Sequence, residues 1–163
     1  LAHRGLAQIF DETNTDWNSN TAAMIEVPTH DYIENTIPSM QAAFDLGASA
    51  VELDIKLSKD GQLAVFHDST LLYRCGVDGE IQDYTMEELK KLDVGYGYTA
   101  DNGKTYPLRG KGIGLMPTLN EVFETFPDKE FVLFAIGRNI NKYHRFLHAK
   151  LKKFEGKVQE KIA

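Results

Sequence analysis

The stretch Ala50-Val51-Glu52-Leu53-Asp54-Ile55-Lys56-Leu57, followed by the turn residues Asp60-Gly61 and the run Gln62-Leu63-Ala64-Val65-Phe66-His67-Asp68, decides how this chain is read. Successive side chains of a strand point to opposite faces, so Val51, Leu53, Ile55 and Leu57 share one face and Glu52, Asp54 and Lys56 the other. Such a strand has one apolar face for a core and one carboxylate face left for chemistry. Asp60-Gly61 is a turn signal, and Gln62 to His67 reads as a second apolar strand that delivers His67 and Asp68 at its C-terminal end.

Upstream of this pair, Asn35 or Thr36 can cap a helix running to about Leu46, with Met40, Ala43, Phe44 and Leu46 as its buried stripe and Gly47 as its stop. Downstream, Thr85-Met86-Glu87-Glu88 and Thr118-Leu119-Asn120-Glu121 both fit the capping box and open helices ending near Leu92 and Phe126. Phe131 to Ile136 is a continuous apolar run suited to a strand buried on both faces, and Asn141 to about Phe154 reads as a basic helix. Strands thus alternate with helices, which argues for parallel strands joined by crossovers and an α/β fold. With a short strand at Leu1-Ala2 there are about four strands, half of an eight-stranded barrel.

Two long segments fall outside this alternation. Residues 6–33 are rich in Asn, Thr and Asp without clear periodicity and read as an inserted loop, a lid or specificity element or merely a tolerated insertion. Gly95 to Gly114 reads as an extended loop whose Tyr96, Tyr98, Tyr106 and Arg109 either face a ligand or pack the loop down.

At 163 residues the chain is expected to form a single domain, residues 1–163. A net charge of −6 argues against a broad basic surface for nucleic acid or anionic membrane, although a local positive site for a small phosphate compound is compatible with it. Cys75 is the one cysteine, so there is no internal disulfide and no second thiol at metal-ligand spacing. No run approaches the roughly 18 apolar residues of a membrane span, and the first residues lack a signal peptide. A soluble chain is expected, with cytoplasmic and periplasmic or secreted locations both open. Because the sequence starts at Leu1 rather than Met, upstream residues are expected to have been removed.

The chemistry lies in three short motifs. Glu52 and Asp54, two apart on a strand, can converge on a hard cation such as Mg²⁺ or Ca²⁺, or simply be a solvated strand face. His67, directly after its strand, is placed as a proton carrier or as an ordinary turn histidine, and Asp68 can orient it, line the site or cap the next segment. His3-Arg4-Gly5 offers a second imidazole, a guanidinium able to grip two phosphate oxygens, and a glycine for a sharp turn. Together these supply the parts for phosphodiester hydrolysis. Glu34, at the entrance to the first helix, is read as favouring the helix dipole and is left outside the catalytic set.

The order His3-Arg4-Gly5, Glu34-Asn35-Thr36, Glu52-Leu53-Asp54, Asp60-Gly61 and His67-Asp68 resembles the glycerophosphodiester phosphodiesterase family, and the resemblance extends through Pro117-Thr118-Leu119 to about Asn139. It implies a TIM-barrel-like (β/α)8 fold, of which this chain covers about the first half, with the site at the C-terminal strand ends. It also implies hydrolysis of a glycerophosphodiester to an alcohol and glycerol 3-phosphate. His3 and His67 would share the acid and base roles, Glu52 and Asp54 would hold Mg²⁺ or Ca²⁺, and Arg4 with Asp68 would bind substrate.

The sequence departs from the family in two respects. Members carry Glu-x-Lys, or Asn in place of the Glu, on the strand that here reads Leu133-Phe134-Ala135-Ile136-Gly137, and Ala135 and Gly137 are assigned to those places. Beyond Asn139 no later barrel strand is expected, and Lys150 to Ala163 reads as a basic amphipathic tail with Phe154, Val158 and Ile162 in register. A half barrel leaves sheet edges uncovered, which implies a homo-oligomer or a missing C-terminal half. Two other readings compete: a phospholipase D-like enzyme, which would need an exposed apolar rim, and a catalytically silent phosphate-binding or assembly protein, motivated by Ala135 and Gly137.

Overall fold

A computed structural model describes residues 1–135 and the backbone of residues 158–161. In chain order it contains strand β1 (Ala2–His3), helix α1 (Ile37–Asp45), strands β2 (Ala50–Leu57) and β3 (Leu63–Val65), helices α2 (Leu72–Cys75), α3 (Met86–Leu89) and α4 (Leu119–Thr125), and strands β4 (Glu130–Ala135) and β5 (Val158–Lys161). The sheet runs β1-β2-β4-β5 with every neighbouring pair parallel. The alternation of strands and helices expected from the sequence is therefore present, and with it an α/β fold.

β3 is the exception. It pairs antiparallel with β2, Ile55 opposite Val65, because the short turn from Leu57 to Leu63 makes a hairpin, whereas a parallel return needs a crossover of a dozen or more residues. His67 consequently comes back alongside the carboxylate region of β2: the Phe66 N–H donates to the Asp54 carbonyl at 2.9 Å.

The two faces of β2 diverge as its alternation requires. Val51, Leu53 and Ile55 are buried with Phe131 and Leu133 of β4 against Met40, Ala43 and Phe44 of α1 and Leu119, Val122 and Phe123 of α4. Phe44 meets Phe131 edge-on, ring centroids 5.8 Å apart at 86°. This sheet-on-helix layer buries one face of β2 while its other face carries Glu52, Asp54 and Lys56.

Thr36, not Asn35, caps α1: its hydroxyl accepts from the Ser39 N–H. At α4 the Thr118 hydroxyl accepts from the Glu121 N–H at 3.1 Å while the Glu121 carboxylate accepts from the Thr118 N–H at 2.8 Å. Thr118→Ala is expected to lower stability by about 1 kcal/mol, read as a lower urea midpoint with an unchanged slope. α3 is a single turn ending at Leu89, short of the expected Leu92.

The segment 6–33 is folded. It contains a 3-10 turn at Thr21–Met24 and a bridge between Phe10 and Ile25, and it buries Ala22, Ile25 and Ile33 with Phe66, Leu71, Tyr98, Leu108 and Met116 in a second apolar cluster. Anchors this sparse leave no periodicity in the sequence. In the glycine-rich segment the Arg109 guanidinium is stacked between Tyr96 (3.8 Å) and Tyr106 (3.7 Å), so these three side chains satisfy one another. Gly137, the helix expected over Asn141 to Phe154, and the tail apart from Val158–Lys161 lie outside the described residues. Val158–Lys161 itself is a strand, parallel to β4, rather than part of an amphipathic repeat.

Candidate active site

β1 and β2 lie side by side with His3 in register with Glu52, which places His3 and Arg4 at the end of β1 beside the carboxylates of β2. Arg4 takes a left-handed conformation (φ 61°), uncommon for a non-glycine residue, and Gly5 follows at φ 83°. A Cβ on Gly5 would lie 2.5 Å from the Ser39 hydroxyl oxygen, so only glycine lets the chain turn against the first turn of α1. The turn is held by Asn35 N–H to the Arg4 carbonyl (2.8 Å) and Leu6 N–H to the Ser39 carbonyl (2.9 Å).

The guanidinium of Arg4 is buried between two carboxylates: Nη1 donates to Glu34 Oε1 at 3.1 Å, and Nε lies 3.1 Å from Asp54 Oδ2. Asn35, also left-handed (φ 57°), donates from Nδ2 to the same Asp54 oxygen at 3.0 Å. Glu34 thus turns inward to a charge cluster instead of standing over the helix N-terminus. A second arginine completes that cluster. Arg74, on α2 and 2% exposed, lies 3.4 Å from Glu34 Oε1 through Nη2 and 3.1 Å from Asp68 Oδ2 through Nε.

His67 is nearly buried. Its Nδ1 is 2.9 Å from Asp68 Oδ1, the Trp17 ring of segment 6–33 packs over it at 5.6 Å, and its Nε2 is buried with no hydrogen-bond partner among the described residues. Burial works against the charge on Asp68, but Arg74 and the bond from His67 outweigh it and hold that carboxyl below its ordinary range. Since an ionised carboxylate only accepts, Nδ1 of His67 is the donor. His3 keeps about two-thirds of its side chain exposed (66%), 3.4 Å from Glu52 Oε2; the partial loss of water around its ring, and next the Arg4 charge, lower its basicity, so it is mostly neutral near pH 7. His3 and Arg4 line a cavity of about 250 Å³ with Gln8, Phe10, Glu12 and Glu34.

Glu52 is the most perturbed carboxylate of the site. Burial, and next the neighbouring Asp54 charge, push it from 4.5 to about 8, and its Oε2 has no hydrogen-bond partner among the described residues. Lys56, one step further along the same face, is also buried, and burial lowers its basicity.

The family model of the glycerophosphoryl diester phosphodiesterase family matches residues 3–161. The chain belongs to this family. The match runs past Asn139, where the sequence resemblance was expected to stop. A glycerophosphodiester phosphodiesterase of Caldanaerobacter subterraneus subsp. tengcongensis is 43% identical over 100 residues, 61% of this chain and 37% of that protein, and a human lysophospholipase D is 36% identical over 100 residues, 59% of this chain and 30% of that protein. Among solved structures, the glycerophosphodiester phosphodiesterase of Thermotoga maritima superposes with a TM-score of 0.63 at 27% identity over 99% of this chain and 52% of that chain. A phosphodiesterase of Oleispira antarctica, solved with its product sn-glycerol-3-phosphate, gives 0.64 at 23% over 97% of this chain and 52% of that one. The fold is that of these TIM-barrel-like phosphodiesterases, and the chain spans about half the length of such structures and less than half of these curated relatives.

The position assigned from sequence to the missing third ligand, Ala135, pairs with Ile55 and packs against the sheet-on-helix core, so it lies on the wrong face. The residue in register with Asp54 on the carboxylate face is Phe134. Among the described residues no group of three or more His, Cys, Asp and Glu is gathered as a metal site. Phe134→Glu is expected to raise divalent-cation affinity on the order of tenfold by adding ligand charge, whereas Ala135→Glu is expected to leave affinity unchanged and lower stability by about 1–3 kcal/mol. Calorimetric titration and urea unfolding of the two variants check this, and equal gains in affinity would contradict the register. Among the described residues no helix is long and apolar enough to cross a membrane.

Proposed function

We propose that this chain carries the catalytic half of a metal-dependent phosphodiesterase that hydrolyses glycerophosphodiesters to an alcohol and glycerol 3-phosphate. The observation that carries the reading is His67: Nδ1 is tied to Asp68, and Nε2 is buried and unpartnered close to the Arg4, Glu34 and Asp54 cluster. An imidazole so held is pre-set for proton transfer through one nitrogen. Supporting it are the family match and the relatives named for this reaction.

The residues fit a divalent cation. Of the two neighbouring buried carboxylates, Asp54 has Arg4 beside it, whereas Glu52 has an oxygen without a hydrogen-bond partner among the described residues and a strongly raised proton affinity, a deficit of positive charge that a cation would fill. Glu52 and Asp54 would hold Mg²⁺ or Ca²⁺, with water and substrate oxygens filling the remaining positions. When bound, the ion would stabilise negative charge on the phosphoryl oxygens. Arg4, at the wall of the cavity, keeps the substrate phosphate in the same place, held in direction by Glu34 and Asp54. His3, neutral near pH 7, accepts a proton on the open side, and His67 exchanges one through Nε2 on the buried side. Asp68 is spent on His67 and Arg74, so its role is orientation rather than contact with substrate.

A second reading within the same chemistry is favoured by the exposed apolar side chains of segment 6–33: Ile9 is 64% exposed, Trp17 65% and Val27 81%. Such a rim suits a lysophospholipid, whose chain extends beyond the phosphodiester. The test compares glycerophosphocholine and lysophosphatidylcholine with Mg²⁺ or Ca²⁺, following release of glycerol 3-phosphate and of choline, each repeated with EDTA. Metal-dependent release from the first substrate supports the proposal, and preference for the second assigns the rim. No release from folded protein with either would overturn both readings in favour of a silent phosphate-binding relative.

A further inference from the structure

Among the described residues Arg74 has the most extensive polar contacts of any buried side chain outside the motifs. It is fully buried on the short α2, and its guanidinium reaches three residues distant in sequence, Thr21, Glu34 and Tyr98, besides the nearby Asp68. Nη1 donates to the Tyr98 hydroxyl at 2.7 Å, in the glycine-rich segment. Nη2 donates to the Thr21 hydroxyl at 2.8 Å, in segment 6–33, and lies 3.4 Å from Glu34 Oε1. Nε lies 3.1 Å from Asp68 Oδ2, whose other oxygen accepts from His67. A planar fork with several fixed donor directions can hold such a set at once, and a flexible ammonium cannot.

The contact with Asp68 has a consequence for the site. A carboxylate as buried as Asp68 (6% exposed) needs a counter-charge to stay ionised, and Arg74 is the cation that meets it. Only as an anion is Asp68 limited to accepting, and only then must His67 carry its ring proton on Nδ1 and leave Nε2 bare. The same guanidinium, through Glu34, fixes the carboxylate that orients Arg4. One buried charge therefore sets the direction of both the proton carrier and the phosphate contact, and it ties to them the two irregular segments that roof the site.

We propose that Arg74 is a positioning residue: through Asp68 it fixes the tautomer and orientation of His67, and through Thr21 and Tyr98 it latches segment 6–33 and the glycine-rich segment to that alignment. The inference rests on the reading of His67 as the proton carrier, but its test does not depend on turnover.

The test is the ¹⁵N spectrum of the histidine rings of the full chain at a pH where the imidazoles are neutral, with His67 assigned by its loss in His67→Gln. The parent is expected to show one tautomer, protonated at Nδ1. In Arg74→Met the His67 signals should move toward the averaged positions of a freely exchanging ring, and Arg74→Lys, with the charge but not the fork, should fall between. A purely structural Arg74 would lower the unfolding midpoint and leave the His67 signals unmoved. A folded Arg74→Met protein with the parent spectrum would overturn the proposal. If that variant does not fold, Arg74→Gln, which keeps hydrogen-bonding groups without the charge that meets Asp68, takes its place, and an unchanged His67 spectrum there would overturn the proposal equally. Where the parent turns over substrate, kcat in Arg74→Lys should fall about tenfold or more with KM little changed, since orientation is felt in the transition state. An inactive parent with the expected spectra would sink the functional reading and leave the positioning role standing.

Discussion

Alanine in place of His67 is expected to lower kcat for glycerophosphodiester hydrolysis by about 10²–10⁴-fold, the usual worth of a positioned proton carrier, while divalent-cation affinity stays within error of the parent. The two readouts separate because the ring of His67 is tied to Asp68 rather than to a carboxylate of β2. The side chain is only 11% exposed, so its removal also opens a space under Trp17 and leaves Asp68 with Arg74 as its remaining partner. Stability should change modestly, since that ion pair still holds Asp68. The decisive comparison is turnover against cation binding by calorimetry in the same preparation. Loss of both together would mean that the substitution has collapsed the site, and persistence of turnover would remove His67 from the mechanism.

What the sequence disclosed follows from how local the physics is. The faces of β2 were legible because alternation is a property of one strand: Glu52 and Asp54 had to share a side whatever β2 packed against. The cap at Thr118 was legible for the same reason, its partners being three residues away. The pairing register of β4 was not legible. A continuous apolar run such as Phe131 to Ala135 gives no sign of which residue faces the carboxylates, and a slip of one residue exchanges Phe134 for Ala135 and one face of the sheet for the other. Register is set by the neighbouring strand, with Asp54 opposite Phe134, and that appears only in the folded sheet.

The charge cluster escaped for a related reason. Glu34 and Arg74 are forty residues apart, and each alone looks like a solvated charge at the start of a helix or in a short turn. A usable signal did exist in Glu34-Asn35-Thr36: three polar residues ahead of α1 exceed what one cap requires, and Thr36 alone is the cap. Asn35 spends its side chain on Asp54, and Glu34 spends its carboxylate on the two arginines. The antiparallel return of β3 was also within reach, because Asp60-Gly61 is a hairpin turn and the link is too short for a crossover.

Glu52→Gln is expected to weaken divalent-cation binding by about 100-fold, in the upper range for loss of a ligand's support, and at the same time to remove a pH dependence from the metal-free protein. The sign follows from the raised carboxyl. In the folded chain Glu52 holds its proton to about pH 8, against 4.5 when exposed, because burial and the Asp54 charge disfavour the anion. Below about pH 4.5 both states are protonated and this group is neutral toward stability. Between pH 4.5 and 8 the unfolded chain ionises while the folded chain does not, so stability falls as pH rises through that window and this contribution levels off above it. Chelated parent protein should therefore show a falling unfolding temperature from about pH 5 to pH 8, and Glu52→Gln a flatter curve. A cation must displace the same proton, so the parent's apparent affinity should rise about tenfold per pH unit up to pH 8 and then flatten. Calorimetric titrations with Ca²⁺ at pH 6, 7, 8 and 9 measure that slope. A cation affinity that Glu52→Gln leaves unchanged, or a parent affinity independent of pH below 8, would mean that the two carboxylates of β2 serve the charge cluster with Arg4 and not a metal.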